Sequence, residues 1–182
     1  MVDTDIRFLE TYNRFYRHVY AYCRRRTNAE MAEEAVADTF LTVWRKPDEI
    51  PSGAEALPWL YAVAYRVLSH QWRSESRRSR LNAKLASLGV DPPSLPEDIV
   101  VMRQESRQLL SALSALKPVD QEILRLSTWE QLSGSEIAGI LGITPGAVRQ
   151  RQYTARNRLA DEYNRLETKR TGTPAAEKGG VL

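Results

Sequence analysis

The sequence predicts an all-α protein, two small helical domains joined by a flexible linker, with a helix-turn-helix in the second. Three observations carry that prediction. Apolar residues recur at three- and four-residue steps in each long segment, as a single buried helix face requires. That pattern fails across 85–104, where Pro92, Pro93 and Pro96 stand among Asp91, Glu97 and Asp98 and mark an extended, mildly acidic linker. Between Ser133 and Leu159, start and stop signals for two short helices follow one another across a tight turn.

The first helix is expected from Asp5 to about Arg26, with Ile6, Leu9, Phe15, Val19 and Tyr22 as its apolar stripe. Tyr12, Tyr16 and Tyr20 suit core packing or contact with a partner. The Arg24-Arg25-Arg26 run closes the helix, where positive charge complements the dipole. A second helix begins after Asn28 as its cap and runs to Arg45, with Met31, Ala35, Phe40, Leu41 and Trp44 available for burial. Glu30, Glu33, Glu34 and Asp38 make its exposed face acidic. That acidity either complements the helix N-terminus or meets a basic protein partner.

Residues 47–58 read as a loop, after which Pro58 opens a helix running to about Arg80. Leu60, Val63, Ala64, Val67 and Leu68 form its inner face. Tyr61, Tyr65, Arg66, His70, Trp72, Arg73 and Arg77, with Arg78 and Arg80, interleave aromatic rings and cations on the others. This combination can hold an unpaired nucleic-acid strand, rings stacking on bases while charges follow phosphates; the alternative is a basic surface helix with incidental aromatics. Beyond the linker, Leu109, Leu110, Leu113 and Leu116 restore helical spacing, and Pro118 starts another helix through Ile123 and Leu126 to Trp129.

Ser133 and Glu136 have capping-box spacing, Ile137, Ala138, Ile140 and Leu141 supply an apolar stripe, and Gly142 stands where a left-handed residue stops a helix. Thr144 caps the next helix and Pro145 occupies its first position. Val148, Ala155 and Leu159 share one face of that helix; Arg149, Gln150, Tyr153 and Asn157 share the other. Arg149, Arg151, Arg156 and Arg158 occur with no acid between Thr144 and Leu159, which suits a helix in a DNA major groove between phosphates. The tail beyond about Leu166 has little to bury and is expected to be disordered.

At 182 residues, 42% hydrophobic and 27% charged, the composition is that of a soluble globular protein. Net charge is only +3, so a nucleic-acid signal must reside in local patches. The lone cysteine leaves no internal disulfide, and His18 and His70 are too far apart in sequence to suggest a metal site. No cofactor is expected. The acidic N-terminus and the absence of a run of ~18 apolar residues predict no membrane insertion and a cytoplasmic protein.

Four segments together are similar to bacterial RNA polymerase sigma factors of the extracytoplasmic-function group: Ala35 to Trp44, Pro58 to Ala64, Leu116 to Leu124, and Glu136 to Arg149 continuing to Arg158-Leu159. The resemblance implies a promoter-specificity subunit that directs transcription initiation. Its first domain, 1–84, would correspond to sigma region 2, gripping the core polymerase clamp and melting the minus-ten element. The linker 85–104 would thread the polymerase toward the RNA exit path. A second domain, 105–166, would correspond to region 4 and read the minus-thirty-five element, leaving a disordered tail at 167–182.

By position, the resemblance implies core-polymerase contacts at Glu33, Asp38, Phe40 and Trp44. It implies minus-ten or single-strand contacts at Tyr61, Tyr65, Arg66, His70, Trp72, Arg73 and Arg77, with the 50–57 loop helping to capture a flipped base. Arg149, Gln150 and Tyr153 match base-reading positions of the upstream element, and Arg151 and Arg156 match backbone contacts. Arg66 departs from the family, which often has Asn there, and Gln152 stands where an apolar residue is common. Core polymerase and promoter DNA, duplex and melted, are the implied partners, at the nucleoid when polymerase is bound; the resemblance also admits an anti-sigma factor. The rival reading is a helix-turn-helix regulator that binds duplex DNA without melting it. An enzyme is the weakest alternative, because no nucleophile, base and orienting group are grouped and no phosphate-cradling loop appears.

Overall fold

A computed structural model describes residues 2–86 and 104–171, with side chains from 6–78 and 108–168. The chain divides into two compact units, Met1–Asp98 and Ile99–Leu182. Most of the expected linker falls outside the described residues. Its first two positions instead continue a helix that ends at Ala86, and Gln104 opens the next one.

In the first unit α1 (Val2–Arg24), α2 (Ala29–Arg45) and α3 (Ala56–Ala86) pack against one another in all three pairings. The Asn28 side chain caps α2 by accepting the Met31 N–H at 2.9 Å. The C-terminus of α1 is closed by its arginines: Arg26 donates to the Tyr22 carbonyl at 2.9 Å and stacks 3.5 Å over the Tyr22 ring. Two 3-10 turns, Pro47–Glu49 and Gly53–Glu55, fill the expected loop and lead straight into α3. That helix therefore starts at Ala56, with Pro58 inside its first turn, where a missing N–H costs nothing.

Burial corrects the expected core at several positions. Phe15, Val19 and Tyr22 are buried as expected, with Cys23 beside them, but Ile6 and Leu9 near the start of α1 are exposed. So are Leu41 and much of Trp44, because α2 turns the arc carrying Ala35, Val36 and Phe40 inward instead. Phe40, expected at the centre of a partner-facing surface, is only 3% exposed. Its ring lies 4.8 Å from that of Tyr12 and 6.4 Å from that of Tyr16, with Phe8 6.5 Å away. Tyr12, Tyr16 and Tyr20 stand one helical turn apart on the side of α1 that receives it, half-buried. Burial raises the Tyr16 hydroxyl pKa, helped by Tyr12, Tyr20 and the Glu33 carboxylate.

The second unit contains α4 (Gln104–Ser114), α5 (Pro118–Thr128), α6 (Gly134–Leu141) and α7 (Pro145–Thr171). Leu113, Leu116 and Leu124 close over Ala155 of α7, while Leu109 and Trp129 remain partly exposed beside an apolar groove. The last helix runs to Thr171, so 167–171 are helical where disorder was expected; the rest of the tail lies outside the described residues. Gln108 ties α4 to the later part of α7 by donating to the Tyr163 carbonyl at 3.2 Å. Among the described residues no helix is long and apolar enough to cross a membrane.

Replacing Phe40 by Ala removes the ring around which the α1 aromatics close. Chemical denaturation followed by circular dichroism should show a loss of about 3–5 kcal/mol, the usual cost of truncating a buried aromatic. A loss under 1 kcal/mol would return Phe40 to the surface.

Candidate nucleic-acid interface

The helix-turn-helix in the second unit is assembled by local chemistry. The Ser133 N–H donates to Glu136 Oε2 at 2.7 Å, and the Glu136 N–H donates back to Ser133 Oγ at 3.3 Å. This reciprocal pair satisfies donors that the first turn of α6 leaves open. Gly142 ends the helix at φ +66°, a conformation costly for a residue with a Cβ. Two residues on, Thr144 Oγ1 accepts the Ala147 N–H at 3.2 Å, and Pro145 begins α7.

Ile137, Ala138 and Ile140 bury the inner side of α6; Val148 and Ala155 bury that of α7, and Leu159 is half-buried further along. This orientation leaves Arg149, Gln150, Tyr153, Arg156 and Arg158 exposed, Tyr153 to 68%. Arg151 is different. Its Nη1 donates to Asp120 Oδ1 at 3.0 Å, and that carboxylate is nearly buried at the start of α5. The expected set of upstream contacts therefore separates into outward-facing side chains and one guanidinium held by the domain itself. Gln152 is half-buried, in keeping with a position next to the inner face.

In the first unit, Arg66, His70, Arg73 and Arg77 fall at i, i+4, i+7 and i+11 of α3 and are exposed together on one side. Two of them lie along the helix: Arg66 Nε donates to the Ala62 carbonyl at 3.2 Å and Arg73 Nε to the Ser69 carbonyl at 3.1 Å. Tyr65 and Trp72, seven residues apart, border this stripe half-buried. Tyr61 does not join it. Only 3% exposed, its ring stacks 4.9 Å from that of Tyr22, so it packs α3 onto α1 and offers no face to a base. Leu60, Val63, Ala64 and Leu68 complete the buried side, with Val67 at its edge.

The acidic surface of α2 also persists: Glu33 and Asp38 are exposed, and Trp44 is 45% exposed against the edge of Phe8, 5.1 Å between centroids. Phe40 does not join them, its ring being turned to Phe8, Tyr12 and Tyr16 of α1. Sequence periodicity did not single out Asp120, because an acid in a first helical turn already has an explanation in the dipole. Cys23, with its thiol pushed up to about 12 by burial, is not positioned for chemistry.

Two family models match this chain, Sigma-70 region 2 over residues 11–78 and Sigma-70, region 4 over residues 106–159. The chain is 30% identical over 122 residues to the ECF RNA polymerase sigma factor SigK of Mycolicibacterium vanbaalenii, a match covering 66% of this chain and 62% of that protein. It is 31% identical over 144 residues to the RNA polymerase sigma factor CarQ of Myxococcus xanthus, covering 77% and 79% respectively. Against another curated relative, the match spans only 35% of the relative's length. In fold, the chain is similar to the sigma factor RpoE of Bartonella quintana solved with the anti-sigma factor NepR. The TM-score is 0.65 at 23% identity, over 86% of this chain and 96% of that one.

Ser133→Ala deletes one side of the capping box. Urea unfolding should show a loss of about 0.5–2 kcal/mol, with the folded helical signal unchanged; no loss would mean that the Ser133–Glu136 exchange contributes nothing to α6.

Proposed function

The chain belongs to the RNA polymerase sigma factor family, in its extracytoplasmic-function group, and on that footing we propose that it is a promoter-specificity subunit directing core RNA polymerase to a dedicated promoter set. The observation that carries this reading is the presence, in one chain, of a helix-turn-helix with a cationic outer arc and of a separate helix bearing Arg66, His70, Arg73 and Arg77 beside Tyr65 and Trp72. A duplex-reading regulator needs only the first. Cations flanked by rings suit a melted strand, whose bases have been freed to stack.

In this reading the second unit docks α7 in the major groove of the upstream element. Arg149, Gln150 and Tyr153 face base edges, and Arg156 holds the phosphate backbone. Stretches on either side of the 50–57 turns supply the first unit's roles: α3 grips the minus-ten strand, and the acidic α2 surface with Glu33, Asp38 and Trp44 meets core polymerase. Phe40 contributes by packing α2 onto α1 and makes no contact with polymerase itself. Partners are core polymerase and promoter DNA, and the site of action is the cytoplasm, at the nucleoid when polymerase is bound. An anti-sigma factor is a further partner in this proposal, by analogy with the RpoE–NepR complex.

Arg149→Ala and Gln150→Ala should each change preference at one or two positions of the upstream element, because a good bidentate base contact discriminates by about 1–3 kcal/mol. Arg156→Ala should weaken binding evenly across sequences. Competition binding on a panel of upstream elements checks both, and unchanged relative affinities for Arg149→Ala would remove the base-reading role.

The melting role is decided by run-off transcription with sigma-free core polymerase, the purified chain and a genomic promoter library. A defined start should appear, with thymines near it becoming permanganate-reactive. Arg66→Ala and Trp72→Ala should reduce opening more than duplex binding. An externally acting regulator would bind duplex tightly alone and select no start without another sigma factor; core binding without any specific transcript would contradict the proposal.

A further inference from the structure

Arg151 stands apart from the other cations of α7. Two residues beyond Arg149, it lies roughly 200° around the helix axis, away from the arc that carries Arg149, Gln150 and Tyr153. There it meets Asp120, the third residue of α5, with 3.0 Å between Nη1 and Oδ1. The Asp120 side chain is only 7% exposed, whereas that of Arg151 is 44% exposed. A carboxylate withdrawn so far from water requires a compensating cation, and the reading helix supplies it. The neighbouring contacts of α7, through Val148 and Ala155, are apolar and made by small side chains. Such contacts keep this side of the helix turned inward but set its rotation only coarsely, since apolar burial is non-directional. A hydrogen-bonded ion pair is directional.

Taking the sigma-subunit reading above as its basis, we infer that Arg151 is a positioning residue. Its ion pair with Asp120 sets the rotation of α7 about its own axis, and so decides which base positions Arg149, Gln150 and Tyr153 meet. The phosphate contact implied by resemblance is not its role. Asp120, which touches no DNA, thereby becomes a determinant of promoter choice.

The test uses holoenzyme assembled from the full chain and core polymerase. It is titrated at several salt concentrations against the preferred promoter and against duplexes carrying single substitutions in the upstream element. Wild type, Arg151→Ala, Asp120→Asn and the double variant are compared, with circular dichroism and thermal midpoints recorded for each. Asp120→Asn keeps side-chain size and an acceptor, so it preserves the fold where Arg151→Ala loosens it. Each single variant should lose about tenfold in preference for the favoured element, comparable to one good base contact. The double variant should lose no more than either single one, as expected of residues acting as a unit. The slope of log affinity against log salt should stay at its wild-type value in all three.

A phosphate-contacting Arg151 predicts otherwise: Arg151→Ala would weaken every duplex equally and flatten the salt slope by about 0.9, while Asp120→Asn would leave preference intact. That result overturns the inference, as does a variant pair that lowers the thermal midpoint but keeps full preference. Arg149→Ala on the same panel separates the levels. If it alters preference while Arg151→Ala and Asp120→Asn do not, only the positioning role falls; if it alters nothing, the base-reading premise falls and the inference with it.

Discussion

Burial of Val148 and Ala155 is the constraint on which the second unit depends. Both are fully withdrawn from solvent, and the helix that carries them is the one against which α4, α5 and α6 all pack. The helix that presents Arg149, Gln150 and Tyr153 is therefore also the core of its own domain. One side of it is committed to packing, and what remains is an arc wide enough for a few long polar side chains. A helix free on all sides could roll in a groove. This one cannot, because rolling would expose its apolar side and break the Arg151–Asp120 pair together.

The first unit solves a different problem. It divides its aromatic residues between two buried seams and a border beside exposed cations. Phe40 is enclosed by Phe8, Tyr12 and Tyr16 between α1 and α2, and Tyr61 stacks on Tyr22 between α1 and α3. With those seams filled, Tyr65 and Trp72 stay at the border of the Arg66, His70, Arg73 and Arg77 stripe, half-buried and held by the helix.

Local turn chemistry shows where a residue can adopt an unfavoured conformation because its surroundings hold it. Gly142 takes φ +66° at the helix-turn-helix corner, as its lack of a Cβ allows. Gln131 takes φ 55° in the turn before α6, where no glycine marks the site. The next residue but one is the Ser133 cap, and the Leu132 N–H donates to the Leu126 carbonyl at 3.1 Å. With the Trp129 N–H donating to the Arg125 carbonyl at 2.9 Å on the preceding side, these bonds flank Gln131 and offset a backbone cost of about 1–2 kcal/mol.

What the sequence determined by itself is whatever depends on neighbours within a turn or two. Helical periodicity, the Asn28, Ser133 and Thr144 caps, the Gly142 stop and Pro118 and Pro145 at helix starts are written in short-range patterns, and the helix boundaries agree with them closely. Together with four ordered segments, they also revealed the family. Tertiary structure alone decided which of two adjacent apolar arcs is buried. Phe40 and Leu41 differ by one position, yet one is enclosed and the other exposed, because α1 approaches from a single direction. Tyr61 and Tyr65, one turn apart on α3, were separated in the same way. Arg151 was assigned by an acid 31 positions away in sequence, and no pattern along one helix records what another helix places beside it. Side-chain type limits what a residue can contact; packing between helices selects which of those contacts is made.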